Sequence, residues 1–268
     1  MQFSSGGQIR GNNGIITHMD DQIQIFRQML ADSGRVVFFG GAGTSTESGI
    51  PDFRSSDGIF RAMQEFGQVP EVLLSHSFFM RDPETFFRYY RKYLLCPDAQ
   101  PNDAHRSLAR LEESGKLTAV ITQNIDGLHQ KAGSRHVLEV HGSVLRNHCM
   151  KCGKFYSLSD ILPMENVPRC PVCGGIIKPD VVLYEEGLDS GILSESVRQI
   201  QKADMLIIGG TSLVVYPAAG LADYFTGKYL VVLNLSPTHQ DENASLCIAR
   251  PIGQVLREAA LEGDYGTV

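Results

Sequence analysis

Four short apolar runs, each preceded by a stretch of helical periodicity, constrain this chain more than any other feature. Arg35-Val36-Val37-Phe38-Phe39 and residues 117–122 (LTAVIT), 204–209 (DMLIIG) and 229–235 (YLVVLNL) are rich in β-branched and aromatic residues. Helical patterns precede them over residues 20–32, 103–114, 192–202 and 217–226; in the first, Ile23, Ile25, Phe26, Met29 and Leu30 form the apolar face. Runs that are apolar throughout are buried on both faces, so the alternation predicts an α/β fold with a doubly wound parallel sheet. Ligands of such a sheet bind beyond the carboxyl ends of its strands.

Two stretches break the alternation, and together they predict a small second lobe above the sheet. Residues 56–100 carry Phe78, Phe79, Phe86, Phe87, Tyr89, Tyr90 and Tyr93 at helical spacing, which reads as the packed core of a helical insertion. Residues 146–186 hold Cys149-x2-Cys152 and Cys170-x2-Cys173, two tight turns that can each present a pair of sulfurs. Two such pairs complete the tetrahedron of a four-thiolate zinc site, whereas a redox centre needs only one. With all four ligands from protein, no position stays open for water, so the expected role of Zn2+ is structural. His148 is superfluous beside that set.

A formal net charge of −6 argues against a broad grip on nucleic acid, which needs a dense basic surface. No apolar run is long enough to span a bilayer. Residues 1–18 lack the apolar segment of a secretory signal and are expected to form a flexible tail. With six cysteines, too few for a disulfide scaffold, the expected compartment is the reducing cytoplasm.

Candidate chemistry sits at the strand ends. After the first run comes GGAGTSTESGIPDFRS (40–55), in which Gly41 and Gly43 allow close approach of backbone to a pyrophosphate, and Thr44, Ser45 and Thr46 add hydroxyl donors. The third glycine of the usual dinucleotide fingerprint is replaced by Thr46. The loop that follows should place Phe53 and Arg54 beside the ligand. A second strand ends in Thr122-Gln123-Asn124-Ile125-Asp126-Gly127-Leu128-His129, where clustered amides and a carboxylate imply a polar pocket. Glu139-Val140-His141-Gly142 then puts a histidine beside a glycine and close to the cysteine lobe. A lone histidine is more often structural; its neighbours tilt His141 toward a cleft, while His129 and His136 read as structural.

These segments, with GTSLVVYPA at 210–218, resemble the sirtuins in order and spacing over roughly residues 20 to 260. The resemblance implies a Rossmann-type parallel sheet with helices on both faces, spanning 19–55, 101–145 and 187–268. It also implies a small lobe made of the helical insertion 56–100 and the zinc module 146–186. NAD and an acyl-lysine protein or peptide would enter the cleft from opposite sides. By position, Ala42, Gly43 and Thr46 would line the phosphate loop, and Phe53 and Arg54 would cover the nicotinamide ribose. Gln123, Asn124, Ile125 and Asp126 would form the nicotinamide pocket. Thr211, Ser212, Asn234 and Ile252 would serve the phosphates, the adenosine ribose and the adenine. Val181, Val182, Leu183 and Tyr184 would pair with the substrate as an added β-strand.

The implied activity is NAD-dependent lysine deacylation, with His141 as base and Asn124 holding the ribose. Its products are nicotinamide, an O-acyl-ADP-ribose and free lysine. Histidine suits the base because its ordinary pKa lies near neutrality. Three features depart from the family pattern. Thr44 replaces an aliphatic residue and Glu185 replaces a glycine. The Tyr-x-x-Arg pair of succinyl- and malonyl-preferring members is absent around Gly58–Met63, which favours uncharged acyl groups. The competing readings are a protein mono-ADP-ribosyltransferase and a zinc-bearing binding module without turnover.

Overall fold

The computed structural model describes residues 19–52 and 55–261; the tail expected over residues 1–18, and Phe53 and Arg54, lie outside the described residues. In chain order the strands are β1 (Val36–Gly40), β2 (Leu117–Thr122), β3 (Val137–Glu139), β4 (Gly142–Cys149), β5 (Phe155–Ser157), β6 (Ile177–Val181), β7 (Met205–Gly209), β8 (Tyr229–Leu233) and β9 (Leu246–Ile248). Among the described residues, six form one sheet in the order β3-β2-β1-β7-β8-β9, all parallel. The strand order reverses direction between β1 and β7, the switch point at which doubly wound sheets bind nucleotides.

The apolar runs explain the two layers of helices. Side chains alternate between the faces of a strand. Val36 and Phe38 therefore enter the core formed with helices Met19–Asp32, Asp103–Glu113 and Ile252–Leu256, while Val37 and Phe39 enter the core under Ser190–Lys202. Phe38 and Phe39 are wholly buried, each contributing roughly 1.5–3 kcal/mol by leaving water.

The structure differs from the sequence reading at the margins of this sheet. β3 and β9 are three-residue edge strands outside the four predicted runs. The helix predicted over 217–226 is a 3₁₀ helix, Ala218–Tyr224, which follows Pro217 and contains Gly220. Proline and glycine are the poorest α-helix formers, and the small residues let the turn sit close on the sheet.

In the small lobe, helices Ser56–Phe66, Pro70–Leu73, His76–Arg81 and Pro83–Tyr93 bury Phe78, Phe79, Phe86, Phe87, Tyr89 and Tyr90 together. The aromatic stripe is core, as its spacing suggested. It packs against Val144 of β4 and Val181 and Leu183 at the end of β6. β4 pairs antiparallel with both β5 and β6 to form a second sheet.

Gly142 joins the two parts of the molecule. Its φ of 76° belongs to the left-handed region, and it pairs with Val181 across the β4–β6 ladder. A Cβ there would stand 1.9 Å from the Asp180 carbonyl oxygen. Gly142→Ala is therefore expected to cost more than about 1 kcal/mol. That corresponds to a melting temperature lower by about 3 °C or more, read by circular dichroism. An unchanged transition would show that the strands yield at this point.

Candidate active site

The glycine loop leaves β1 as two short 3₁₀ turns, Ala42–Thr44 and Thr46–Ser48, and the next α-helix starts only at Ser56. Its first glycines serve loop-to-loop packing. The Gly43 N–H donates to the Gly210 carbonyl (2.8 Å), and the Gly41 N–H donates to that of Gly209 (3.3 Å). A Cβ on Gly43 would lie 2.8 Å from Gly210 Cα, and one on Gly210 would lie 2.4 Å from the Thr44 nitrogen. Thr44, one of the departures noted above, is wholly buried and donates its hydroxyl to the Gly209 carbonyl (3.4 Å). Thr46 is exposed, its hydroxyl donating back to the Gly43 carbonyl (3.0 Å).

Three strand ends are laced together beside this loop. Gln123 donates from its backbone to the Gly40 carbonyl (3.0 Å) and from its side chain to the Thr211 hydroxyl (2.9 Å). Asn234 clasps Thr211 from the other side: its Oδ1 accepts from the Thr211 N–H (3.0 Å) and its Nδ2 donates to the Thr211 carbonyl (2.7 Å). Ser212 is exposed, and Ile252 is buried against Gly209.

At the end of β2 the hub is Ser45. Its hydroxyl donates to Asp126 Oδ2 (2.7 Å) and accepts from Asn124 Nδ2 (3.0 Å). The Leu128 N–H holds the other Asp126 oxygen (2.9 Å). Burial pushes the Asp126 carboxyl above the ordinary carboxylate range, opposed by these two hydrogen bonds.

His141 Nδ1 lies 3.0 Å from the Gln123 carbonyl. A carbonyl only accepts, so Nδ1 carries a proton and donates it there. One cleft brings Ala42, Ser45, Gln123, Asn124, Ile125, Asp126 and His141 together with Val181, Val182, Leu183 and Tyr184. Thr46, Thr211, Ser212, Asn234 and Ile252 stand outside its walls.

The Val181–Tyr184 segment is held firmly. The Val182 N–H donates to the His141 carbonyl (3.0 Å), that of Leu183 to Glu186 Oε2 (2.9 Å), and that of Tyr184 to the Leu74 carbonyl (3.0 Å). Glu185 takes a φ of 76° where glycine would be unstrained. Its carboxylate accepts from both the N–H and the hydroxyl of Ser77 at 2.9 Å, which anchors it in that conformation.

The four clustered cysteines place their sulfurs within 4.8 Å of one another. Cys149 and Cys173 sulfurs are 3.4 Å apart, and those of Cys152 and Cys170 are 3.7 Å apart. A zinc tetrathiolate with bonds near 2.3 Å has sulfur–sulfur edges of about 3.8 Å. The donors therefore fit a structural Zn2+. Each knuckle is closed alike, Gly153 N–H to the Cys149 carbonyl (2.9 Å) and Gly174 N–H to the Cys170 carbonyl (2.8 Å). His148 packs against the Phe155 ring instead. Metal analysis should find about one zinc per chain, and Cys152→Ser with chelator should abolish both zinc content and the near-ultraviolet signal of the small lobe. A metal-free chain that keeps that signal would refute the assignment.

Residues 41–217 match the Sir2 family. The chain is 57% identical over 239 residues to an NAD-dependent protein deacetylase of Clostridium perfringens, covering 89% of this chain and 98% of that protein. This chain belongs to the Sir2 family. Among solved structures, a Sir2 homologue in complex with NAD is 34% identical, covers 91% of this chain and 94% of its own, and superposes with a TM-score of 0.82. A Sir2 structure holding a deacetylated peptide and 3′-O-acetyl ADP-ribose is 38% identical, covering 90% and 98%, also at 0.82.

Beneath the cleft of this Sir2 protein lie two buried histidines that the sequence reading did not place at the site. His105 reaches Ser45, and His129 packs between His105 and Phe38. Burial, with Arg106 nearby, lowers His105 to about 4, and burial holds His129 well below its ordinary 6.5. Both stay neutral when folded, while the unfolded chain takes up their protons near 6.5. Below that pH the unfolded state binds more protons, so stability falls on acidification. For His105 the loss approaches roughly 3 kcal/mol near pH 4. The urea midpoint should therefore be lower at about pH 5 than at about pH 7, and an unmoved midpoint would contradict neutral burial.

Proposed function

We propose that this chain is an NAD-dependent protein lysine deacetylase, or more broadly a deacylase, with His141 as general base. The observation that carries the reading is the His141 tautomer. Its Nδ1–H is committed to the Gln123 carbonyl, and the opposite nitrogen can take a proton in the cleft that also holds Asn124 and the Val181–Tyr184 segment. The Clostridium perfringens relative and the product-bearing Sir2 structure support the same chemistry.

NAD, when bound, supplies a ribosyl carbon that becomes electrophilic as nicotinamide leaves. Asn124 orients the ribose, held in turn by Ser45, and Asp126 receives the nicotinamide amide. Ala42, Gly43 and Thr46 face the phosphates, with Thr211, Ser212, Asn234 and a residue at Ile252 serving the adenosine half. The family resemblance gives Phe53 and Arg54, which lie outside the described residues, the role of covering the nicotinamide ribose. Val181, Val182, Leu183 and Tyr184 align the substrate backbone, and His141 would remove a ribose hydroxyl proton so that this oxygen takes the acyl group, with one water consumed and the lysine amine released. Zn2+ on Cys149, Cys152, Cys170 and Cys173 keeps the small lobe in shape.

The acyl group is uncharged. Among the described residues, the cleft walls carry no lysine or arginine, but do include Asp126, Glu185 and Glu186. Among the described residues a succinyl carboxylate would meet only like charge there. We assign NAD to the domain formed by 19–55, 101–145 and 187–268, and substrate support to the 56–100 insertion and 146–186 zinc module. The described residues contain no helix long and apolar enough to cross a membrane. We place the work on protein substrates in the reducing cytoplasm, where the free cysteines would keep their thiols.

Acetyl-, butyryl- and longer acyl-lysine peptides should drive nicotinamide release from NAD, and succinyl-lysine should not. His141→Ala should lower kcat by about 10²-fold or more, the usual share of a general base. Full turnover in that variant would refute its role. ADP-ribose left on protein without acyl transfer would favour mono-ADP-ribosyl transfer, and NAD binding without turnover a binding module.

A further inference from the structure

The helix Asp103–Glu113 begins with a capping box in which an imidazole replaces the usual glutamate or glutamine. Asn102 Oδ1 accepts from the backbone N–H groups of Ala104 (2.9 Å) and His105 (3.4 Å). In return, the Asn102 backbone N–H points at His105 Nδ1 (3.3 Å). Asn102 Nδ2 also donates to the Thr44 carbonyl (2.8 Å), pinning this helix start to the glycine loop.

The polarity of this chain of hydrogen bonds is set at its Ser45 end. At the near end His105 Nδ1 lies 3.3 Å from the Asn102 backbone N–H, a donor, and 3.1 Å from Asn102 Oδ1, an acceptor, so this end accommodates either tautomer. At the far end, the single Ser45 proton goes to the Asp126 carboxylate at 2.7 Å. The Ser45 oxygen is then an acceptor, receiving Asn124 Nδ2–H at 3.0 Å and facing His105 Nε2–H at 3.5 Å. The Ser45 end therefore selects the tautomer with the proton on Nε2. Burial keeps the ring neutral. The imidazole is also locked in place: His105 is wholly buried, and the ring of His129, itself buried, stands 4.7 Å away.

We propose that His105 is a positioning residue for the reaction, its Nε2–H completing the hydrogen-bond set of Ser45 so that Ser45 holds Asn124 and Asp126 in their working orientation. The proposal rests on the deacylase reading of the cleft. With only two partners the Ser45 hydroxyl can rotate, and Asn124 and Asp126 lose a common anchor. The defect belongs to the bound, reacting state rather than to peptide capture, because the substrate segment is held elsewhere.

Three variants separate this role from helix capping. His105→Gln offers an oxygen to the Asn102 N–H and an N–H to Ser45. His105→Glu keeps only the capping oxygen, and His105→Leu keeps neither. Relative to wild type, the Gln variant should retain kcat within about threefold, while Glu and Leu should lose roughly tenfold or more, the equivalent of one lost hydrogen bond in a buried site. KM for an acetyl-lysine peptide should stay within about twofold throughout. A Leu variant that is folded and keeps wild-type kcat would overturn the proposal, as would a Gln variant no better than Leu. Nitrogen-15 spectra of the wild-type histidines, assigned by loss of one signal in the Gln variant, give a readout independent of turnover. The Nε2–H form is expected for His105, and the Nδ1–H form would overturn the proposal. If the wild type itself releases no nicotinamide with any acyl-peptide, the deacylase reading fails, and the tautomer still decides how Ser45 is held.

Discussion

At Gly43 and Gly210 two loops cross with no room for a side chain on either. One leaves β1 and the other leaves β7, so the crossing lies over the point where the sheet reverses its strand order. Bringing these loops into backbone contact stacks the ends of β1 and β7, which lets Gln123 reach Thr211, and Asn234 close around it. The same contact buries Thr44 and turns Ser45 toward Asn124 and Asp126. A bulkier residue in either loop would separate strand ends whose polar groups satisfy one another, and each orphaned group would carry a desolvation cost of about 1–3 kcal/mol.

The polar layer built on that crossing has an unusual floor. A carboxyl whose pKa is raised by burial sits above two imidazoles whose pKa values are lowered by the same cause. Neutral rings add no positive charge beneath Asp126, whose two oxygens stay held by Ser45 and the Leu128 N–H. Acid sensitivity is the physical counterpart of that arrangement.

Much of this was legible in the sequence because its signals are local. A buried parallel strand must be apolar at every position, so β1, β2, β7 and β8 stand out. β3 and β9 are short and lie at the edges, where three residues such as Leu246–Ile248 form no recognisable run. The paired CxxC turns were equally plain, since each half of the site is written within four residues. His141 needed its neighbourhood and the family resemblance. Ser45 was visible only as one hydroxyl among three, and His105 not at all as part of the site. Their bonds span 60 and 81 positions of chain, and no periodicity reports such pairings. The one local trace was Asn102 three residues ahead of His105, which marks a helix start without revealing what lies across from it.

Gly142 has a mechanical consequence. His141 is bonded through its ring to the large sheet at Gln123, and through its carbonyl to Val182 of the small lobe, while the next residue begins β4. The base therefore sits on the seam between the two bodies. Points on an axis are displaced least when one body rocks against another, and displacement grows with the length of the lever arm. Any rocking of the small lobe would sweep the zinc knuckles through the widest arc and the substrate segment through a smaller one. His141 would stay nearly still, like the pin of a hinge.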